Sequence, residues 1–233
     1  MGRNHQAGFT LWELLITLLV AGVVFGLGIP NFREFQRNSV MTSAANDLIT
    51  GLLAARAEAV KRQVPVTLCA SPDPLADPPV CSPDGAGTNG GFIVWVDWDS
   101  THVDGNQNPQ FTASDGNAVV DPGETAGVPV IIRSATPPTA APAGTVRVYA
   151  ATGGGVSSAY VTFGPNGFVR SANGMGFPSM QWVLYCDDRG NKLTSGGTSA
   201  ARVVRIDPTG RANVQSGTDD VTSAVAQTGG ACP

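Results

Sequence analysis

Nineteen consecutive residues, 14–32, carry no charge. A helix crosses a bilayer core with roughly 20 apolar residues, so this run is long enough to span a membrane. A short polar segment, 1–8, precedes it and carries Arg3 and His5. Beyond Pro30 the pattern changes. Met41, Ala45, Leu48, Leu52, Ala55 and Ala59 recur at steps of three or four, the spacing of one buried helix face. Arg33, Glu34, Arg37, Asp47, Arg56 and Glu58 fall mostly elsewhere around the wheel. Lys61 and Arg62 come last, where a helix C-terminus favours cations. The pattern predicts one long helix over 9–62. Its first half, 9–30, is lipid-facing or bundle-facing, and its second half, 31–62, is amphipathic. Pro30 is expected to kink it, or to loosen it together with Gly22, Gly26 and Gly28.

The remainder, 63–233, reads as β-rich. Short apolar or alternating runs at 64–69, 92–97, 128–134, 145–149, 159–163, 168–170, 180–186, 201–206 and 211–215 predict strands. Gly164-Pro165-Asn166-Gly167 and Asp207-Pro208-Thr209-Gly210 predict the turns between neighbours. Residues 71–91 and 98–127 are Pro-, Asp- and Gly-rich loop, and 216–233 reads as a polar tail. A sheet with one apolar face is unstable until it is covered, and the amphipathic half of the helix is its natural cover. The expected fold class is α+β: a long kinked N-terminal helix packed on antiparallel β-sheet.

With 14 basic and 18 acidic residues the formal net charge is -4, so no global basic excess exists to hold nucleic acid by counterion release. Only 14% of residues are charged, against 29 Gly and 17 Pro, which favours a loop-rich exported domain. Four cysteines fit two disulfides in an oxidising compartment and allow three pairings. We expect Cys69 with Cys81, closing a short Pro/Asp-rich loop, and Cys186 with Cys232, tying the C-terminal tail to a strand. The zinc alternative lacks a C-x-x-C pair or a nearby His. Asp97, Asp99, Asp104, Asn106, Asn108, Asp115, Asn117, Asp121 and Glu124 offer oxygen ligands of the type calcium takes. They do not follow the order of an EF-hand loop, and Asx turns account for them. No nucleophile motif and no phosphate loop frames a catalytic site. The chain reads as a non-enzyme without cofactor or metal.

The unusual residue is Glu13, at the outer edge of the apolar run. A carboxylate at membrane depth costs on the order of 3 kcal/mol and is usually functional. If the chain is cut after Gly8, a new amine appears on Phe9. It lies four residues, about one helical turn, from Glu13. In a helical stack of subunits it can instead meet a neighbour's Glu13.

Gly8-Phe9-Thr10-Leu11-Trp12-Glu13-Leu14-Leu15 resembles the signature of type IV prepilins and type II secretion pseudopilins. The resemblance extends along most of the chain. Ala44-Ala45-Asn46-Asp47-Leu48, Ala54-Ala55-Arg56-Ala57-Glu58-Ala59-Val60-Lys61-Arg62, Val66-Thr67-Leu68-Cys69 and Gly91-Phe92-Ile93-Val94-Trp95-Val96-Asp97 are similar to blocks of the GspH/FimT family. So are Tyr185-Cys186-Asp187-Asp188-Arg189-Gly190 and Ile206-Asp207-Pro208-Thr209-Gly210-Arg211. The resemblance implies a pilin-like fold and a leader, 1–8, cut between Gly8 and Phe9 by a prepilin peptidase that also methylates the Phe9 amine. It implies assembly through Glu13 and the Pro30 helix, in the inner membrane of a Gram-negative bacterium, with the globular domain periplasmic. The implied partners are other minor pilins and the major pilin.

The family holds three functional types. One primes type IV pilus assembly near the tip, one binds DNA in natural transformation, and one is a minor pseudopilin of type II secretion. The DNA-binding type is associated with Gly-Arg-x-Arg, where this chain has Gly210-Arg211-Ala212-Asn213, without the second Arg. In that alternative Arg202, Arg205 and Arg211 would line one edge. Asp187, Asp188, Asp207, Asp219 and Asp220 lie close in sequence and make the region a poor anion binder. The first type is therefore the expected one, with the other two as alternatives.

Overall fold

The computed structural model describes residues 9–76, 79, 91–96, 131–136, 146–153, 156–157, 159–170, 180–230 and 232. One helix, α1 (Leu11–Arg62), runs from the apolar segment into the globular domain, and helical backbone continues without interruption across position 30. It ends at Gln63, whose φ of 58° is left-handed, the usual geometry that stops a helix. Met41, Ala45, Leu48, Leu52, Ala55 and Ala59 are all buried. The three-four spacing thus marks the face that packs on the domain. Gly51 shares that face because a Cβ there would sit 2.5 Å from the Phe92 ring.

Ten strands among the described residues form two antiparallel sheets. The first contains β1 (Val66–Ala70), β2 (Phe92–Val96), β3 (Ile131–Ala135), β6 (Tyr160–Phe163) and β7 (Val169–Arg170), in the order β3-β2-β1-β6-β7. The second contains β4 (Arg147–Gly153), β5 (Val156–Ser157), β8 (Trp182–Cys186), β9 (Arg202–Ile206) and β10 (Ala212–Gln215), in the order β10-β9-β8-β4-β5. The α1 helix lies against both, touching β1, β2, β3 and β6 on one and β8, β9 and β10 on the other. One continuous core joins the buried face of α1 to Val66, Leu68, Val94, Phe163, Val183, Tyr185, Val204 and Ile206. The long helix on antiparallel sheets is the α+β architecture that the sequence predicts.

The C-terminal segment departs from expectation. Residues 216–233 are not an irregular polar tail: Thr218–Thr228 forms a second helix, α2, that buries Val221, Ala224 and Thr228. It covers the opposite face of the second sheet, on Leu184, Cys186, Ala201 and Val203. Alternation along β8 makes this two-sided burial work, since successive side chains point to opposite faces. Val183 and Tyr185 enter the α1 core, and Leu184 and Cys186 enter the α2 core. The Asp/Asn-rich segment and Cys81 lie outside the described residues.

Candidate assembly helix and its polar clamp

At the N-terminus Thr10 caps α1. Glu13 N donates to Thr10 Oγ1 at 3.3 Å, and Glu13 Oε2 accepts from Thr10 N and Thr10 Oγ1, both at 2.9 Å. This reciprocal box satisfies two helix-terminal donors. The Glu13 carboxylate thus turns back toward the Phe9 side of the helix rather than outward. Phe9 itself is 89% exposed. From Leu11 to Ile29 the large apolar side chains are exposed, and an 18-residue window here has a mean hydropathy of 2.2 with none of it buried. Within the described chain nothing covers this half. Gly8 lies outside the described residues.

Where α1 enters the domain, polar groups replace apolar ones. The segment after β8 folds back on the helix. Asp187 has a fully buried side chain and pairs with Arg189 Nη2 at 2.6 Å and Nε at 2.9 Å. Arg189 Nη1 reaches across to Asn38 Oδ1 at 2.8 Å. Arg37 Nη1 meets Asp188 at 3.2 Å, and Ser195 N donates to Glu34 Oε1 at 2.9 Å. Farther along, Arg133 Nη2 lies 3.8 Å from Asp47. These contacts clamp the 187–195 segment to α1 at residues 34–38 and β3 to it at Asp47. In the sequence Asp187, Asp188 and Arg189 stand in the 185–190 block that resembles the family, with Asp187 and Asp188 counted among the acids near the arginines. That Asp187 would be buried had no signal there beyond its place beside Cys186.

The three arginines do not line one edge. Arg202 is 8% exposed and donates to Ser199 O, Ala201 O and Thr42 Oγ1. Burial, then the neighbouring Arg189 guanidinium, lowers its pKa, while Asp187 opposes this. Its Nε faces α1 and its Nη1 faces its own loop, and the side chain is largely withdrawn from the surface. Arg205 sits three residues on, an odd step that puts it on the other face of β9. There its guanidinium stacks 4.9 Å from the Trp182 ring centroid. Arg211 is exposed beyond the turn. That turn is held by Asp207 Oδ1, which accepts from Thr209 N, Thr209 Oγ1 and Arg211 N at 2.9, 2.6 and 3.0 Å. Partial burial pushes the Asp207 pKa up, but the Thr209 hydroxyl and the two backbone donors outweigh it and hold the carboxyl below its ordinary value.

Cys186 and Cys232 are joined by a disulfide with Cα atoms 5.7 Å apart. Cys69 is also disulfide-bonded. Among the described residues no group of three or more His, Cys, Asp or Glu is placed to hold a metal.

The family model described as type II transport protein GspH matches residues 44–210, and that of the prokaryotic N-terminal methylation motif matches residues 3–29. No curated protein matches the chain. Among solved structures, two crystal forms of the type IV minor pilin FimU of Pseudomonas aeruginosa are similar. One is 16% identical, covering 78% of this chain and 92% of that chain, with a TM-score of 0.39. The other is 15% identical, covering 75% and 91%, with a TM-score of 0.36.

Proposed function

The chain belongs to the GspH family and carries the N-terminal methylation motif, and from that premise we propose that it is a minor pilin of a type IV pilus. The leader 1–8 is removed after Gly8 and the Phe9 amine is methylated. Residues 9–30 hold the protein in the inner membrane, with 63–233 in the periplasm. Through its helix the subunit enters the filament and, near the tip, helps other minor pilins and the major pilin to begin assembly. The observation that supports this best is the division of α1. Its first half is apolar, exposed and capped by Thr10 together with Glu13, and its second half is built into the domain core.

The test is processing. Gly8→Val should leave the leader attached, so intact mass shows the full chain, whereas the wild type lacks residues 1–8. A mutant of mature mass, or a wild type that begins at Met1, overturns the reading.

A second reading, a minor pseudopilin of type II secretion, draws support from the family description itself. Deletion separates the two: loss of twitching supports the first, and loss of protein export with twitching intact supports the second. The DNA-receptor alternative loses one of its three arginines to the clamp, because Arg202 is spent on internal acceptors.

A further inference from the structure

The 191–198 hairpin is tightly built. Thr194 N donates to Thr198 O at 2.8 Å, Gly197 N to Thr194 O at 2.9 Å, and Ala200 N to Lys192 O at 2.8 Å. Asn191 Nδ2 braces it against α2 through Thr218 O at 2.9 Å and Thr222 Oγ1 at 3.1 Å. Yet Leu193 beside its tip is 66% exposed, and Lys192 next to it is exposed as well. A single exposed Leu means little by itself. Its height along α1 is what makes this one informative.

Ser195 N is bonded to Glu34, four residues beyond position 30. At a rise of about 1.5 Å per residue this lies about 6 Å beyond position 30, the end of the proposed spanning half. The polar zone on each side of a bilayer core is roughly 5–7 Å deep. The hairpin therefore stands at headgroup height. At the same level Phe32 and Phe35 are exposed, and on interfacial helices Phe and Leu side chains enter the boundary between headgroups and acyl chains. The nearby acids are engaged: Glu34 accepts from Ser195, and Asp188 pairs with Arg37. Among the described residues Arg33 and Lys192 form no ion pair, which leaves two exposed cations facing the same layer.

We propose that this hairpin is a foot resting on the bilayer, with Leu193 inserted among the headgroups and Lys192 and Arg33 facing anionic phospholipid. The inference rests on the reading that residues 9–30 span the membrane. The foot and the spanning helix then give the domain two separate points of support, which fixes its tilt before the subunit leaves the bilayer.

The test uses the full chain reconstituted in vesicles of phosphatidylcholine and phosphatidylglycerol. An environment-sensitive fluorophore is attached at Leu193→Cys, or at Lys61→Cys as control. Residue 61 lies 27 residues above Glu34 along the helix, about 40 Å away. Lipid carrying a headgroup nitroxide is added. The expected result is loss of emission from the 193 label and none from the 61 label. Lys192→Glu should lessen that loss in anionic vesicles and leave it unchanged in neutral ones. Equal, unquenched emission from both labels in protein that floats with the vesicles overturns the foot and leaves the anchor standing. A 193 label that is blue-shifted but unquenched means that protein covers the hairpin instead, and also overturns it. Failure to float removes both the anchor and the foot.

Discussion

Removing Arg189 isolates the energetic core of the clamp. Arg189→Ala leaves the Asp187 carboxylate, whose side chain is fully buried, without its guanidinium, and leaves Asn38 Oδ1 without its donor. Among the described residues the one remaining donor to Asp187 is the backbone N–H of residue 189, at 3.0 Å. Breaking a buried pair by deleting one partner costs about 3–5 kcal/mol, and the Arg202 charge, which Asp187 also meets, puts the expectation at the lower end. For a chain of this size each kcal/mol moves Tm by about 2–4 °C, so the expected drop is roughly 10 °C. Arg37→Ala is the internal control. Its partner Asp188 is 61% exposed, and such pairs contribute about 0–1 kcal/mol. Both variants, with the wild type, are melted in the same detergent and followed by near-ultraviolet circular dichroism. An Arg189→Ala midpoint within about 2 °C of the Arg37→Ala midpoint would refute the assignment of Asp187 and Arg189 as a buried, mutually dependent pair.

Asp207 is a carboxyl held below its ordinary value, so the stability it adds is present at neutral pH and is lost as pH falls through its lowered folded value. Asp207→Asn should be less stable than wild type at neutral pH and converge with it in strong acid; a constant gap across a pH series of melts contradicts this. Cys232→Ser opens a bridge spanning 46 residues, for which chain entropy alone gives about 4 kcal/mol. Hydrogen exchange should show α2 losing protection before α1 does, and an α2 as protected as in wild type counts against the tether. Glu13→Val should still insert in the membrane but enter filaments poorly, and sheared pili carrying it at wild-type levels would exclude the pairing role.

How much was legible in the sequence follows from how local each signal is. The buried face of α1 needs only its own spacing, and Met41 through Ala59 are where periodicity puts them. The Asp207–Gly210 turn is likewise local, since Asp207 holds it and Gly210 supplies a φ of 78° with a Cβ position 2.5 Å from Phe163. The α2 helix was hidden because Thr, Ser and Asp are weak helix formers. Docking of Val221 and Ala224 and the Cys232 tether hold it, neither of them a property of the segment alone. Division of the strands between two sheets is also non-local, because a run such as Val203-Val204 does not say which partners it pairs with. The clamp joins residues about 150 positions apart, beyond the reach of any local pattern. Arg202 and Arg205 differ: their odd spacing in a strand already separates them, and grouping them by nearness in sequence overlooked that period.

The route from α1 into the domain has a mechanical consequence. Only residues 63–65 separate the helix from β1, and β1 is the middle strand of its sheet, paired at five positions with β2 and at four with β6. Traction along the helix therefore reaches the first sheet through a strand gripped on both sides. Freeing that strand means breaking two ladders, whereas an outer strand is held by one.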